Sequence, residues 1–185
     1  MQEALRFEIK EDVTTGEAIE TAIEFILSIS QKCEKNSDVS RRIVFPRINP
    51  IEVYLSTKDN MKELEEKLMQ QRKEAEKWLE IANSFASAVK LLTKLGVGYD
   101  VEYNGDFNHD IDYFVIKNKC SIYIRFGGND RFNKYSNIVD YYKKVIKEID
   151  DKLEKLEFYK ELYGMPLRAA IKLLEVEESK KKAKR

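Results

Sequence analysis

One long helical stripe constrains the fold of this chain more than any other feature. Ten positions between residues 61 and 92 are spaced alternately three and four apart, and all but Gln71 are apolar. This spacing is typical of a helix that buries one seam along its length. Neither Pro nor Gly occurs between Thr57 and Leu95, so we expect a single helix of roughly 58 Å.

A helix of this length must pack its seam against something. The seam residues that we expect to carry the packing are Leu64, Leu68, Trp78, Phe85, Val89 and Leu92. Apolar residues in near-heptad spacing over about 131–163 predict a second long helix, and antiparallel packing of the two would bury both seams. The alternatives are this intramolecular packing and a homodimer through the first long helix.

Three short strands are predicted between the long helices, at 97–103, 111–117 and 120–126, with turn residues at 104–105 and 118–119. Further predicted elements are strands at 3–10, 42–46 and 51–55, a helix from Thr14 or Thr15 to about Cys33, and a short last helix after Pro166. Ser56 with Asp59 has the pattern of a capping box for the long helix, and Gly96 that of its C-terminal cap.

These elements predict an α+β fold, with a small mixed or antiparallel sheet, two long helices packed antiparallel, and a three-stranded meander between them. The predicted organisation is an N-terminal β-α-β-β segment at 1–56, which can pack into the same domain, a main part at 57–176, and a disordered basic tail at 177–185.

Composition favours a soluble cytoplasmic protein. Charged residues make up 36% of the chain, with an excess of Lys and Glu that is typical of proteins from hot environments. No 18-residue apolar run is present, so no membrane contact is expected. The net charge is zero overall but +5 over residues 131–185, where 15 basic and 10 acidic residues occur. The C-terminal third is therefore the basic end.

An acidic stretch is the best candidate for chemistry. It carries Asp110 and Asp112, two residues apart at the start of a predicted strand, with the single histidine, His109, beside them. Side chains spaced by two lie on one face of a strand, and paired carboxylates can hold Mg²⁺ or Mn²⁺. The alternative is a solvated acidic loop with no cofactor.

The order helix, three strands, helix over roughly residues 58–160 resembles the core of restriction-endonuclease-like PD-(D/E)XK nucleases. The resemblance implies that Asp110 or Asp112 serves as the first metal ligand and that an acid-x-Lys motif lies on the third strand. Tyr123 and Arg125 stand at those two last positions, so the resemblance implies a degenerate or inactive member.

The strand that begins with Asp110-Ile111-Asp112 also resembles the DxD strand of small nucleotidyltransferases. The Gly-Ser pair that precedes the strand in that family is absent here, and so is the third acid. Both resemblances together define the enzyme alternative, a metal-dependent phosphodiester enzyme with Asp110 and Asp112 as ligands.

Basic residues in two places favour contact with nucleic acid. The first group surrounds the aromatic Phe45, and the second forms the C-terminal end: Arg41, Arg42 and Arg47, then Lys180, Lys181, Lys182, Lys184 and Arg185. Such residues neutralise phosphates without reading sequence. The function that we expect is a non-enzymatic binding or assembly protein that uses the long-helix seam, with itself or another protein as partner and nucleic acid as a further one.

Overall fold

Four helices and five strands make up the described part of the fold. The structure is a computed structural model, and it describes residues 6–30, 32–34, 40–101, 112–116, 120–126 and 136–183. The elements in chain order are α1 (Thr15–Ile29), β1 (Lys32–Glu34), β2 (Ser40–Phe45), α2 (Lys58–Lys94), β3 (Gly98–Val101), β4 (Asp112–Ile116), β5 (Cys120–Phe126), α3 (Ser136–Tyr163) and α4 (Leu167–Ala183). The predicted α+β class is confirmed.

The five strands form one sheet in the order β1-β2-β5-β4-β3. The strand β4 pairs antiparallel with both β3 and β5, which confirms the predicted meander. The strand β2 runs parallel to β5, with Ile43 opposite Ile124, and β1 pairs antiparallel with β2. The sheet is therefore mixed, as predicted.

The chain divides into two compact units. The first comprises Met1–Asn49 and Lys73–Val145, and the second comprises Pro50–Arg72 and Ile146–Arg185. The first unit contains α1, the whole sheet, the C-terminal part of α2 and the start of α3. The second contains the N-terminal part of α2, the rest of α3, and α4.

Local capping rules explain where the first helix begins. The backbone N–H of Glu17 donates to the Thr14 hydroxyl at 3.3 Å, and the Thr14 N–H donates to the Glu17 carboxylate at 2.7 Å. This reciprocal pair is the capping box, and it satisfies donors that have no partner inside the helix. Hydrogen bonds that the Thr14 backbone N–H and the Thr14 hydroxyl donate to the Glu17 carboxylate lower the pKa of this carboxyl below its usual value.

Both ends of α2 are capped, one of them not as predicted. At its start the backbone N–H of Asn60 donates to the Thr57 hydroxyl at 3.5 Å, whereas the Ser56 hydroxyl accepts from the Asn60 side chain. Thr57 is therefore the cap, and the predicted role of Ser56 is wrong. At its end Gly96 has a φ of 71°, and hydrogen bonds from Gly96 and Val97 close a Schellman motif, as predicted.

The seam of α2 is buried in both units. In the second unit Met61, Leu64 and Leu68 are at most 8% exposed. In the first unit the side chains of Phe85 and Leu92 are fully buried. The predicted seam is therefore used within the chain.

In the second unit α2 and α3 run antiparallel, as predicted. Arg72 pairs with Asp150 at 2.7 Å, and Glu65 pairs with Lys160 at 2.7 Å. The residue with the lower number on α2 pairs with the residue with the higher number on α3, so the two helices run in opposite directions. Both carboxylates that flank Lys160, those of Glu157 and Glu65, raise the pKa of its ammonium group.

Two predicted strands are absent from the described residues. The segment 6–10 has no strand structure, and 51–55 likewise forms no ladder. In the second unit, side chains satisfy the backbone of the latter segment: Lys152 donates to the Pro50 carbonyl and Lys155 to the Val53 carbonyl, each at 3.1 Å. The backbone N–H of Ile51 donates to the Gln71 side chain of α2 at 3.1 Å. A period of two in the sequence does not distinguish such a segment from a strand.

The residues just after β2 are held in the first unit by two tyrosines of α3. The Tyr141 hydroxyl bonds to both the N–H and the carbonyl of Ile48, each at 3.1 Å. The hydroxyl of Tyr142 donates to the Pro46 carbonyl at 2.6 Å. Burial raises the pKa of the fully buried Tyr142 far above its usual value, so its phenol remains a donor.

We expect Tyr142→Phe to lower the free energy of unfolding by about 1 kcal/mol, because the Pro46 carbonyl loses its donor while the ring packing is kept. Denaturant titration followed by circular dichroism would measure the change. Tyr163→Phe is the matched control, since Tyr163 lies on the same helix and is 56% exposed. Equal stability of the two variants would contradict a stabilising role for this hydrogen bond.

No helix among the described residues has an apolar stretch long enough to span a membrane.

Candidate nucleic-acid interface

Among the described residues, the sheet of the first unit has one buried face and one more exposed face, which we call the open face. On β2, Ile43 and Phe45 are at most 1% exposed, whereas Arg42 between them is exposed and Val44 is half-buried. On β5, buried Ile122 follows half-buried Ser121. Successive residues of a strand point to opposite faces. The buried residues therefore mark one face of the sheet, and the exposed or half-buried residues mark the other.

The buried face is covered by helices. The ring of Phe45 lies 6.0 Å from that of Trp78 and 5.9 Å from that of Phe85, both on α2. The guanidinium of Arg41 donates to the Leu27 carbonyl at 3.1 Å, near the end of α1. A cation at this end of a helix stabilises the exposed carbonyl groups. Of the three arginines predicted to bind nucleic acid, Arg41 is thus engaged with α1 on the covered face.

Paired residues of neighbouring strands share a face, so the register identifies the composition of the open face. One row across the sheet consists of Lys32, Arg42, Tyr123, Tyr113 and Val101. The next row on that face consists of Glu34, Ser40, Ser121, Val115 and Tyr99. A third row pairs Val44 with Arg125. Three basic and three tyrosine positions therefore fall on one face, with a single acidic position among them.

Two described side chains define the chemistry available on the open face. Arg42 is exposed, and Tyr99 on the edge strand β3 is 44% exposed. Arginine side chains bind phosphate oxygens, and exposed aromatic rings stack on nucleobases. A sheet that presents both on one face matches a common way of binding single strands.

The other predicted nucleic-acid contacts lie elsewhere. Arg47 follows β2 and is exposed. Lys180, Lys181 and Lys182 form the exposed last turns of α4, and Lys180 pairs with Glu177 at 2.9 Å. The tail predicted to be disordered is therefore helical up to Ala183, since its lysines complement the C-terminal end of the helix dipole.

Lys184 and Arg185 lie outside the described residues. A nucleic-acid role for the basic end stays a prediction.

The predicted acidic site is only partly covered by the structure. His109 and Asp110 lie outside the described residues, and Asp112 begins β4. Within the described ranges, no group of three or more His, Cys, Asp or Glu side chains could hold a metal ion. The Mg²⁺ or Mn²⁺ site at Asp110 and Asp112 stays a prediction.

The register bears on the nuclease resemblance. Asp112 is opposite Ile124, whereas Tyr123, at the position of the nuclease acid, is opposite Tyr113. Adjacent rows of a sheet belong to opposite faces. The positions that would have to share one metal ion therefore fall on opposite faces, which disfavours a site of the nuclease type.

A groove in the first unit has the wrong charge for phosphate. It lies between residues 6–8 and α2, and Glu8, Glu76 and Glu80 line it. Arg6, the basic residue in its lining, forms an ion pair with Glu80. This groove would repel a polyanion, so the open face of the sheet remains the better candidate.

The sequence contained a signal for the open face that the basic residues alone did not reveal. Along β5, apolar Cys120, Ile122 and Ile124 alternate with Ser121 and Tyr123. This alternation is typical of a strand with one solvent-exposed side. The alternation along β5 does not predict that β5 pairs with β2, and this pairing adds Arg42 to the row of Tyr123.

The fold and the candidate site define an α+β protein with a mixed sheet that is covered by helices on one face and, over the residues that the structure describes, more exposed on the other. No protein-family model, no curated protein and no solved structure matches the chain. Its function must therefore be inferred from its own geometry.

Proposed function

We propose that the protein is a non-enzymatic binding protein that holds single-stranded nucleic acid on the open face of its sheet. The observation that carries the proposal is that exposed Arg42 on β2 and exposed Tyr99 on β3 fall on the same face of the sheet. Arg42 neutralises phosphate, and the ring of Tyr99 supplies a stacking surface that suits any base. The buried opposite face keeps the sheet rigid beneath the ligand.

The seam of α2 does not provide the binding surface. A partner could reach Leu68 or Phe85 only after unfolding, because both side chains are fully buried. Docking of a partner on that seam therefore has little support. The binding surface is better sought where polar and aromatic side chains are exposed.

The first test measures binding of a fluorescently labelled single-stranded oligonucleotide of about twelve nucleotides by anisotropy, over a range of salt concentrations. We expect Arg42→Ala to weaken binding and to reduce the slope of log K against log salt by about one, because one phosphate contact is lost. Lys90→Ala is the matched control, since Lys90 is exposed on α2, which packs on the covered face.

The second arm of the same test replaces an aromatic ring. Tyr99→Ala should weaken binding by roughly five- to a hundredfold with little change in the salt slope, because a stacking contact is removed. Tyr54→Ala is its control, since Tyr54 is 53% exposed and lies outside the sheet. Wild-type protein that fails to bind at low salt, or variants that bind as the controls do, would overturn the proposal.

A further inference from the structure

Arg42 and Tyr99 lie far apart on the open face of the sheet. Arg42 is on β2 and Tyr99 is on β3, and the strands β5 and β4 lie between them. Neighbouring strands are about 4.8 Å apart, so three spacings separate the two backbone positions by about 14 Å across the sheet. A single ligand that contacts both residues must therefore cross β5 and β4.

The register gives the direction of this crossing. Tyr99 belongs to the row of Val115 and Ser121, whereas Arg42 belongs to the next row, two residues further along the strands. Two residues of a strand span about 7 Å, so the oblique path from Arg42 to Tyr99 is about 16 Å long. Val44 lies two residues from Arg42 in the opposite direction, so the path leads away from it.

Short side chains lie along this path. Val115 on β4 is paired with Tyr99, Ser121 on β5 is paired with Val115, and the side chains of Val115 and Ser121 are half-buried. Because neither side chain is long or charged, they leave space above β5 and β4 for flat bases. The ring of Tyr99, which is 44% exposed at the end of this row, offers a stacking surface.

We propose that the ligand of the open face is a short unpaired segment of about four nucleotides, which crosses the strands from Arg42 to Tyr99. Sheets of four strands that bind RNA stack about two or three bases on their surface. Arg42 holds the phosphate of one further nucleotide. A duplex does not belong to this ligand class, because its bases are stacked on one another and do not reach the ring of Tyr99. The inference rests on the proposed binding of single strands by this face.

The length of the site is measured by competition of unlabelled oligothymidylates, about two to twelve nucleotides long, against the labelled strand at constant salt. Each nucleotide up to about the fourth should strengthen binding severalfold, because it adds a stacked base or a phosphate contact. Longer strands should bind more tightly only in proportion to the number of registers in which they fill the site. An oligonucleotide of about four nucleotides should lose affinity, by at least about threefold, in both Arg42→Ala and Tyr99→Ala.

Val115→Glu tests the path between the two ends. Its carboxylate would lie between Arg42 and Tyr99 and would repel the backbone phosphates, so binding should weaken by at least about tenfold. Val44→Glu is the matched control, because Val44 is also half-buried on the open face and lies nearer to Arg42 than Val115 does. Any effect exerted through Arg42 would therefore be larger in the control, which should lose at most about threefold. Circular dichroism checks that both variants are folded.

The outcomes separate this inference from the proposed function. A strand of about twelve nucleotides that does not bind the wild type would overturn the proposed function and, with it, the short site. Affinity that still rises steeply beyond about eight nucleotides would overturn the short site alone, as would equal losses in the Val115 and Val44 variants. A four-nucleotide strand that is weakened by only one of the Arg42 and Tyr99 variants would overturn the crossing.

Discussion

Phe85→Ala should lower the free energy of unfolding by about 3 to 5 kcal/mol, the largest effect expected from any single truncation in this chain. Phe85 is fully buried in the first unit, where its ring lies 5.9 Å from that of Phe45 on the sheet. Removing the ring leaves a cavity between α2 and β2, and the sheet above it can collapse only in part. Denaturant unfolding followed by circular dichroism at 222 nm would measure the loss.

Met69→Ala is the control for this experiment, because Met69 is on the same helix and 53% exposed. It should change stability by no more than about 0.5 kcal/mol. A loss for Phe85→Ala as small as that for the control would contradict the burial of the seam. A concentration-dependent loss would instead return the homodimer through α2 to consideration.

The elements that the sequence predicted correctly are those governed by local rules. The long helix follows from one apolar spacing without Pro or Gly, and its end follows from the left-handed conformation that favours Gly96. The meander follows from alternation and turn residues. Thr14 with Glu17 marks the first helix, because the capping box needs only residues three apart.

The elements that it predicted wrongly depend on partners distant in sequence. An extended segment at 51–55 alternates like a strand, but its carbonyls accept from Lys152 and Lys155, about a hundred residues away. The composition of the open face also depends on residues that are distant in sequence. Arg42 was a candidate from its charge alone, but the residues in its row come from β5, which pairs with β2, and from β4, which pairs with β5, and both pairings exist only in the folded sheet.

The alternation of side chains along a strand explains why one basic cluster of the sequence is divided in the structure. Arg41 and Arg42 are adjacent, so a strand must send them to opposite faces. The burial of Ile43 and Phe45 determines which face is covered, and Arg41 goes with them. Of the two adjacent arginines, only Arg42 therefore lies on the face to which we assign the ligand.

Gly98→Ala should destabilise the first unit by about 1 to 3 kcal/mol, because β3 can reach its position only with no side chain there. A Cβ at residue 98 would lie 2.3 Å from Cζ of Phe114 and 3.1 Å from each of its Cε atoms. Phe114 is 1% exposed, so its ring has no free space into which to move. The ring of Phe114 packs over the glycine and covers the edge of the sheet.

A double variant distinguishes this close contact from a general intolerance of change in β3. Gly98→Ala/Phe114→Leu should lose less than the sum of the two single variants, because the smaller side chain leaves room for the new methyl group. Gly164→Ala is the control, since a Cβ there meets only the Glu161 carbonyl, at 3.7 Å, and its loss should stay within about 0.5 kcal/mol. Strictly additive losses would show that Phe114 does not set the cost. In that case the backbone of the edge strand β3 would require the glycine, and the packing of Phe114 on the covered face would not.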